Sequence, residues 1–384
     1  MPRPGRGGGG GPVDLKMRLF RLLIAALLWL VLFGVDGIIS APAQSIPSSP
    51  GWHVLPKTAM QPVCPPNGFG GSGYDFFDSC RAVVTAWNSA VMDTRRNRLV
   101  LWGGGHSDYF GNEVYALDLK ALTVQRLTDP ALPLDMTGCP ESLANGTQPN
   151  SRHTYDGITY IAHADRLFAF GGARATCGYA SDGTWTFDFK RSVWESRKPG
   201  GSLPRPDYGV VAVYDAVSRK VFVHDSSTLY AYTLETDRYE SWSSGGQVDY
   251  HLAGVIDPVR RKFVMVGTGN VYVYDIGKKS FWSGRESLRT RGGEAIVQSG
   301  YPGLAYDPVS GRIVAWNGGD SVYQLDLDRG VWTPITYPNG PGESQQNGTF
   351  KRWSYSPGSD VFVLINEMAG NAYVLRLAPA DRGR

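Results

Sequence analysis

Imidazole, phenol and guanidinium side chains occur close together at several points of this sequence, and the combination suits acid–base chemistry on a carboxylated sugar. β-Elimination of a uronate needs a base for the C5 proton, an acid for the leaving oxygen and positive charge beside the carboxylate. Histidine can supply the base, tyrosine the acid, and a guanidinium group binds carboxylate with two N–H donors. The candidates are His106 or His153 for the base, Tyr109 or Tyr155 for the acid, and Arg152 or Arg352 for the carboxylate.

A second group combines aromatic and polar side chains, and it suits the binding of sugars. The C–H faces of a sugar ring stack on aromatic faces, while its hydroxyls find hydrogen-bond partners among polar neighbours. The alternative is that the aromatic residues only fill the wall of a narrow channel. The ligand-binding candidates are Trp87, Asp108, Asn112, Tyr208, Tyr250, His251, Tyr301, Trp353 and Glu367.

Both groups are carried by a repeat. An apolar strand ends near Asp, a basic residue follows five positions on, and a second apolar strand, a loop and two aromatic strands complete the unit. The Asp and basic residue keep their spacing in Asp93…Arg98, Asp215…Lys220, Asp257…Lys262 and Asp307…Arg312. Four short strands per unit, with alternating apolar and polar residues, are typical of one blade of a β-propeller.

Six such units predict an all-β, six-bladed propeller. They span residues 87–130, 152–200, 206–246, 249–288, 300–340 and 349–378. The last unit has only three strands, whereas Trp52–Leu55 stands alone and is similar to the fourth strands of other units. We therefore expect the N-terminal strand to complete the final blade and leave no free sheet edge. A seventh blade built from residues 57–86 stays open as an alternative, although that segment carries no repeat signature.

Glycines after the second strand extend the pattern to a known family. They are Gly103–Gly105, Gly171-Gly172 and Gly318-Gly319, and the third, fourth and sixth units lack them. The pattern resembles the kelch-repeat propellers, including the central domain of the galactose-oxidase family. That resemblance implies the fold and leaves the function open, since propellers serve many unrelated roles.

The galactose-oxidase likeness also raises the hypothesis of a copper-radical oxidase. Tyr250-His251 is the only local similarity to its metal site, and the required Cys–Tyr cross-link has no evident cysteine. We therefore expect neither a metal nor another cofactor.

Chain direction predicts which residues meet. In every unit the first strand begins, and the second ends, at the same face, so those segments surround a central funnel. The repeat places Trp87, Tyr155, Gly209, His251 and Tyr301 at equivalent positions, as a mostly aromatic ring at the mouth of the axial channel. Four of the six histidines map to this face: His106, His153, His224 and His251.

The first 43 residues have the features of a secretory signal peptide. Arg18 and Arg21 precede an apolar run of 14 residues, Leu22–Val35, and Ala41-Pro42-Ala43 has the small residues of a cleavage site. Met17 would be a natural start, which makes residues 1–16 a candidate over-extension of the coding region. An uncleaved anchor is the alternative. Residues 44–384 would then form a single propeller domain.

Charge and cysteine content limit which binding partners and which cellular compartment are expected. The predicted signal carries five of the 38 Lys and Arg and two of the 35 Asp and Glu, so the remainder has no net charge. That balance excludes a basic surface for nucleic acid. We expect no stable membrane insertion after cleavage, because no second long apolar run occurs.

Four cysteines in an exported chain predict two disulfides, with three pairings open. We favour Cys64–Cys80 and Cys139–Cys177, because these pairs bracket the long irregular stretches. The sequence thus indicates a secreted or periplasmic module that binds a glycan or another exported protein. Uronate-polysaccharide lyase activity is the alternative, and the copper oxidase comes third.

Overall fold

The computed structural model describes residues 1–2, 5, 8, 45–280 and 284–383. Within that part of the chain, the strands form six antiparallel blades around one axis, as predicted. The predicted apolar signal run and cleavage site lie outside the described residues.

Each blade has four main strands, which follow one another from the axis outward. Blade one contains Ala90–Asp93, Arg98–Leu101, Tyr115–Asp118 and Thr123–Arg126; blade two contains Ile158–Ile161, Arg166–Ala169, Thr184–Asp188 and Val193–Arg197; blade three contains Val211–Asp215, Lys220–His224, Thr228–Thr233 and Arg238–Ser244. Blade four contains Ala253–Asp257, Lys262–Gly267, Asn270–Asp275 and Arg285–Ser287; blade five contains Gly303–Asp307, Arg312–Trp316, Ser321–Asp326 and Val331–Thr336; blade six contains Trp353–Ser356, Val361–Leu364, Tyr373–Arg376 and Gly51–Val54.

Short elements decorate this framework. The α-helices are Phe76–Ser79, Ala82–Thr85, Glu294–Val297 and Pro379–Arg382, and the 3-10 turns are Gln61–Val63, Phe69–Gly71, Ala144–Gly146 and Phe350–Arg352. Two small ladders pair Ser142–Leu143 with Gln148–Pro149 and Arg152–His153 with Ala173–Arg174, and Gly200–Gly201 adds a parallel edge to blade three.

The N-terminal strand closes the propeller, which confirms the prediction. Gly51–Val54 pairs antiparallel with Tyr373–Arg376, with Gly51 opposite Arg376 and Val54 opposite Tyr373. Residues 57–86 form the short helices and turns above and pack on blades six and one. The seventh-blade alternative is therefore wrong, because this segment supplies apolar side chains to an existing interface instead of strands.

Apolar packing between neighbouring blades provides the core. Side chains alternate along each strand, so Leu99 and Leu101 face blade six whereas Val100 faces blade two. One buried cluster lies at each of the six blade interfaces. Each blade is consequently held by both neighbours.

The repeated Asp and an arginine of the same turn join blades one and two on the face opposite the funnel. Asp93 accepts hydrogen bonds from the backbone N–H groups of Arg95 and Arg96, both at 3.1 Å, and so closes its own turn. The Arg96 guanidinium also reaches Asp165 of blade two at 2.6 Å. This turn of blade one is thereby fixed locally and tied to blade two.

The four cysteines form the two predicted disulfides. Cys64 is bonded to Cys80, and Cys139 to Cys177, with Cα–Cα distances of 6.3 and 5.5 Å. Among the described residues, no helix has the length and hydropathy needed to cross a bilayer.

An ion pair closes the axis. Asp156 Oδ1 lies 2.6 Å from Lys351 Nζ, and the other carboxylate oxygen accepts from the Gly254 N–H of blade four at 2.8 Å. The Ala212 N–H of blade three binds the Asp156 carbonyl at 2.9 Å. Burial raises the pKa of Asp156 and lowers that of Lys351, because desolvation penalises both charged forms while their attraction opposes this. Below the pair, the inner strands line a channel of about 360 Å³.

Replacing one member of this pair should lower the free energy of unfolding more than replacing both. Lys351→Met leaves the Asp156 carboxylate buried without its partner, which should lower the free energy of unfolding by about 3–5 kcal/mol. Adding Asp156→Asn to Lys351→Met should recover part of that loss, as measured by urea denaturation. A single variant as stable as the unmodified protein would contradict this role.

Candidate functional site

Six equivalent positions surround the axis at the face where the inner strands begin. Each lies six residues before the last residue of its inner strand. The positions are Trp87, Tyr155, Gly209, His251, Tyr301 and Phe350. The repeat in the sequence predicts the first five of these positions but not Phe350. The same offset from Ser356, the last residue of the sixth inner strand, could have found it.

Three of these side chains form an aromatic floor across the axis: Tyr155, Tyr301 and Phe350. Ring centroids are 4.7 Å apart for Tyr301 and Phe350, 5.9 Å for Tyr155 and Tyr301, and 6.4 Å for Tyr155 and Phe350. All three residues are buried. The funnel therefore ends on aromatic rings that come from blades two, five and six.

The floor is built on an uncommon backbone conformation. Tyr155, Tyr301 and Phe350 have φ of 45°, 54° and 50°, in the left-handed region that bulky residues rarely adopt. The residues that follow Tyr155 and Phe350 are Asp156 and Lys351, which form the axial ion pair. Strain of this kind is often kept where geometry serves a function.

The phenols of the floor stay protonated and can form hydrogen bonds. Burial, followed by the nearby Tyr250, Tyr208, Asp207 and Asp108, raises the pKa of Tyr155. Burial is also the main cause that raises the pKa of Tyr301. Tyr301 is only 3% exposed, and its hydroxyl has no hydrogen-bond partner among the described residues. Such a buried hydroxyl is costly to leave unpaired, so a polar group of a ligand would stabilise it.

A histidine–aspartate pair lies on the blade-one side of the funnel. His153 Nε2 is 2.7 Å from Asp108 Oδ2, and the imidazole is buried while the carboxylate is 46% exposed. Trp87 packs on His153 with centroids 5.1 Å apart, and the exposed His106 ring lies 5.8 Å from His153. The pair fixes the orientation of the His153 ring and makes it a candidate proton acceptor.

A second such pair lies on the blade-four side. His251 Nδ1 is 2.5 Å from Asp249 Oδ1, and the His251 ring lies 5.0 Å from Tyr301. Tyr250 packs against His251 at 3.8 Å and is 44% exposed. Tyr208, the residue before Gly209, is 41% exposed. Exposed tyrosines thus flank the buried floor.

The two arginines predicted to bind a carboxylate are part of the scaffold instead. Arg152 is buried and donates to Glu141 at 3.1 Å, to Ser181 and to backbone carbonyls. Arg352 is buried and donates to the carbonyls of Asn88, Ile365 and Gly348. Desolvation lowers the pKa of Arg352 to about 9. Both guanidinium groups hold loops together and are unavailable to a ligand.

Other predicted residues also lie apart from the floor. The Tyr109 hydroxyl is buried and donates to Glu113, and the Asn112 amide is buried against Gln148 and Pro149. Trp353 is buried between blades five and six, where its indole donates to the Val314 carbonyl at 3.0 Å. Glu367 is exposed on a loop of blade six. The repeat assigns these residues to a face, but neighbouring loops decide which way each side chain points.

His224, one of the four histidines mapped to this face, lies inside the wall. Its Nε2 is 2.9 Å from the Tyr274 hydroxyl of blade four. Burial, only partly opposed by Asp225, lowers the pKa of His224 to about 3. This imidazole is therefore neutral and links blades three and four.

The described residues contain no group of three or more His, Cys, Asp or Glu side chains arranged to hold a metal ion. Both disulfides take up the four cysteines, which leaves no thiol for a Cys–Tyr cross-link. No protein-family model matches the chain, and comparison with curated proteins finds no match.

Acid should destabilise the fold partly through His224. Its pKa is about 3 in the folded protein against 6.5 for the free side chain, so only the unfolded chain binds the proton between these values. Stability should fall as the pH drops through this window, by up to about 1.4 kcal/mol per pH unit from this group. His224→Gln should make the fall shallower, as followed by urea denaturation from pH 7 to pH 4. His53→Gln, on the outer strand of blade six, is the matched control. An unchanged slope in His224→Gln would count against this assignment.

Proposed function

We propose that the protein binds a glycan in the funnel above the aromatic floor. The observation that carries this proposal is the combination of a closed aromatic floor with the unpaired Tyr301 hydroxyl. Sugar rings stack on aromatic faces and need hydroxyl partners, and the floor supplies both directly beneath the opening. The exposed Tyr250 and the half-buried Trp87 enlarge the stacking surface on two sides.

The rigidity of the funnel loops favours a binding role for the aromatic residues over a role in filling the channel wall alone. The funnel loops are held by the buried Arg152 and Arg352, and the Cys139–Cys177 disulfide links the segments before and after blade two's inner strands. A site whose side chains are already positioned loses less entropy when a ligand binds. The loops around the floor are therefore already positioned for a ligand, and only the buried rings would have to shift to admit it.

We further propose that the chain is exported and belongs with the kelch-type propellers. The disulfides support the first proposal, since they persist in oxidising compartments. The glycine and aromatic pattern of the sequence supports the second. Another exported protein is the alternative ligand.

Eliminative cleavage of a uronate glycan is the second candidate function, and the His153–Asp108 pair favours it. The carboxylate orients the imidazole as a base, and the ring of Tyr155, a protonated phenol, lies 6.2 Å from that of His153. Since Arg152 and Arg352 are tied to the scaffold, the carboxylate of a uronate would need another cation.

Loss of the exposed aromatic surface should weaken glycan binding without loss of the fold. Tyr250→Ala and Trp87→Ala should each reduce affinity for a bound oligosaccharide by roughly tenfold, because each removes one stacking face. Glycan-array screening would select the oligosaccharide and isothermal titration calorimetry would measure it. Tyr323→Ala, in the third strand of blade five, should bind like the unmodified protein. Equal affinity in all three variants would place the site elsewhere.

The lyase hypothesis has a direct assay. Incubation with a panel of uronate glycans should yield an unsaturated product with new ultraviolet absorbance, and His153→Ala should abolish it. A panel that gives no product would eliminate this candidate and leave the binding proposal unaffected.

A further inference from the structure

Accessible carboxylates lie beside the aromatic floor, and the exposed Arg205, two residues before Asp207, is paired with Asp225. Asp108 and Asp249 are 46% and 44% exposed, and they lie on different sides of the funnel, next to His153 and His251. Each imidazole engages one oxygen of its carboxylate. Asp207, half-buried at the start of blade three, adds a third carboxylate to this face.

The nearby carboxylates also affect the pKa values of the floor tyrosines. After burial, the causes that raise the pKa of Tyr155 are Tyr250, Tyr208, Asp207 and Asp108, and those for Tyr301 include Asp249. Arg152 and Arg352 are close in sequence to the floor residues, but their guanidinium groups point into the scaffold. They are bonded to Glu141 and to backbone carbonyl groups. Lys351 is paired with Asp156 beneath the floor.

Aromatic faces and carboxylates together select a cation. The faces of Trp87, Tyr155, Tyr250 and Tyr301 carry negative potential that attracts an ammonium group. The half-exposed Asp108 and Asp249 can pair with that ammonium at the rim, while the unpaired Tyr301 hydroxyl offers a hydrogen bond to the sugar.

We propose that the glycan bound in this funnel carries protonated amino sugars, which the aromatic floor and the carboxylates of Asp108 and Asp249 distinguish from neutral and anionic sugars. This inference rests on the proposed glycan-binding function and names its ligand class. The uronate of the second candidate function would instead be repelled by the same carboxylates.

The test compares three oligosaccharides of equal length by isothermal titration calorimetry. They are a glucosamine oligomer, its fully N-acetylated form and an oligogalacturonate. The glucosamine oligomer should bind at least about tenfold more tightly than the acetylated form, and rising salt should weaken that preference because it screens charge. The oligogalacturonate should bind least.

Variants that remove a carboxylate test which residue causes the preference for the charged oligomer. Asp249→Asn should reduce affinity for the glucosamine oligomer by roughly fivefold and reduce the ratio between the charged and acetylated forms. Glu286→Gln removes an exposed carboxylate from the outer strand of blade four and serves as the matched control.

The outcomes separate the two proposals. Equal binding of the charged and acetylated oligomers would overturn the amino-sugar inference and keep the glycan-binding function. Tighter binding of the oligogalacturonate would also overturn it and would favour the lyase. If glycan arrays and all three oligomers show no binding, both proposals fail. A preference unchanged in Asp249→Asn would overturn the role given to that carboxylate.

Discussion

The ion pair between Asp156 and Lys351 is the contact on which the funnel depends. It lies on the axis, 2.6 Å long and nearly withdrawn from solvent, and Asp156 also binds backbone N–H groups of other blades. A buried ion pair contributes little net stability, because desolvation offsets attraction, but breaking it leaves a costly unpaired charge. Its effect in this fold is geometric. It closes the axis and fixes the two residues that directly precede it, Tyr155 and Phe350, as part of the floor.

The chemistry of the funnel follows from how polar groups are divided between scaffold and surface. Buried arginines hold the loops through carbonyl groups, and His224 links two blades as a neutral ring. The side chains left at the opening are tyrosines, a tryptophan, imidazoles and carboxylates. In this arrangement apolar faces lie at the centre of the opening and charged groups at its rim.

The repeat made the architecture predictable, but the direction of individual side chains could not be predicted from it. Six units, the closing strand and both disulfides follow from spacing, because each blade must pair its strands and cover its edges. The ring around the axis followed too, except at Phe350. Tyr109, Asn112 and Trp353 lie on the predicted face but point into the core, since packing against Glu113, Gln148 and Phe362 decides their direction. Arg152 and Arg352 are likewise bonded to groups distant in sequence.

A crystal structure of the protein soaked with an oligosaccharide selected by glycan array is the sharpest test of binding above the aromatic floor. We expect one sugar ring packed on Tyr250 or Trp87, a sugar hydroxyl within hydrogen-bond distance of the Tyr301 hydroxyl, and an axis still closed by Asp156 and Lys351. A saccharide bound in the channel on the opposite face, or a floor opened to let the chain pass along the axis, would refute this binding site.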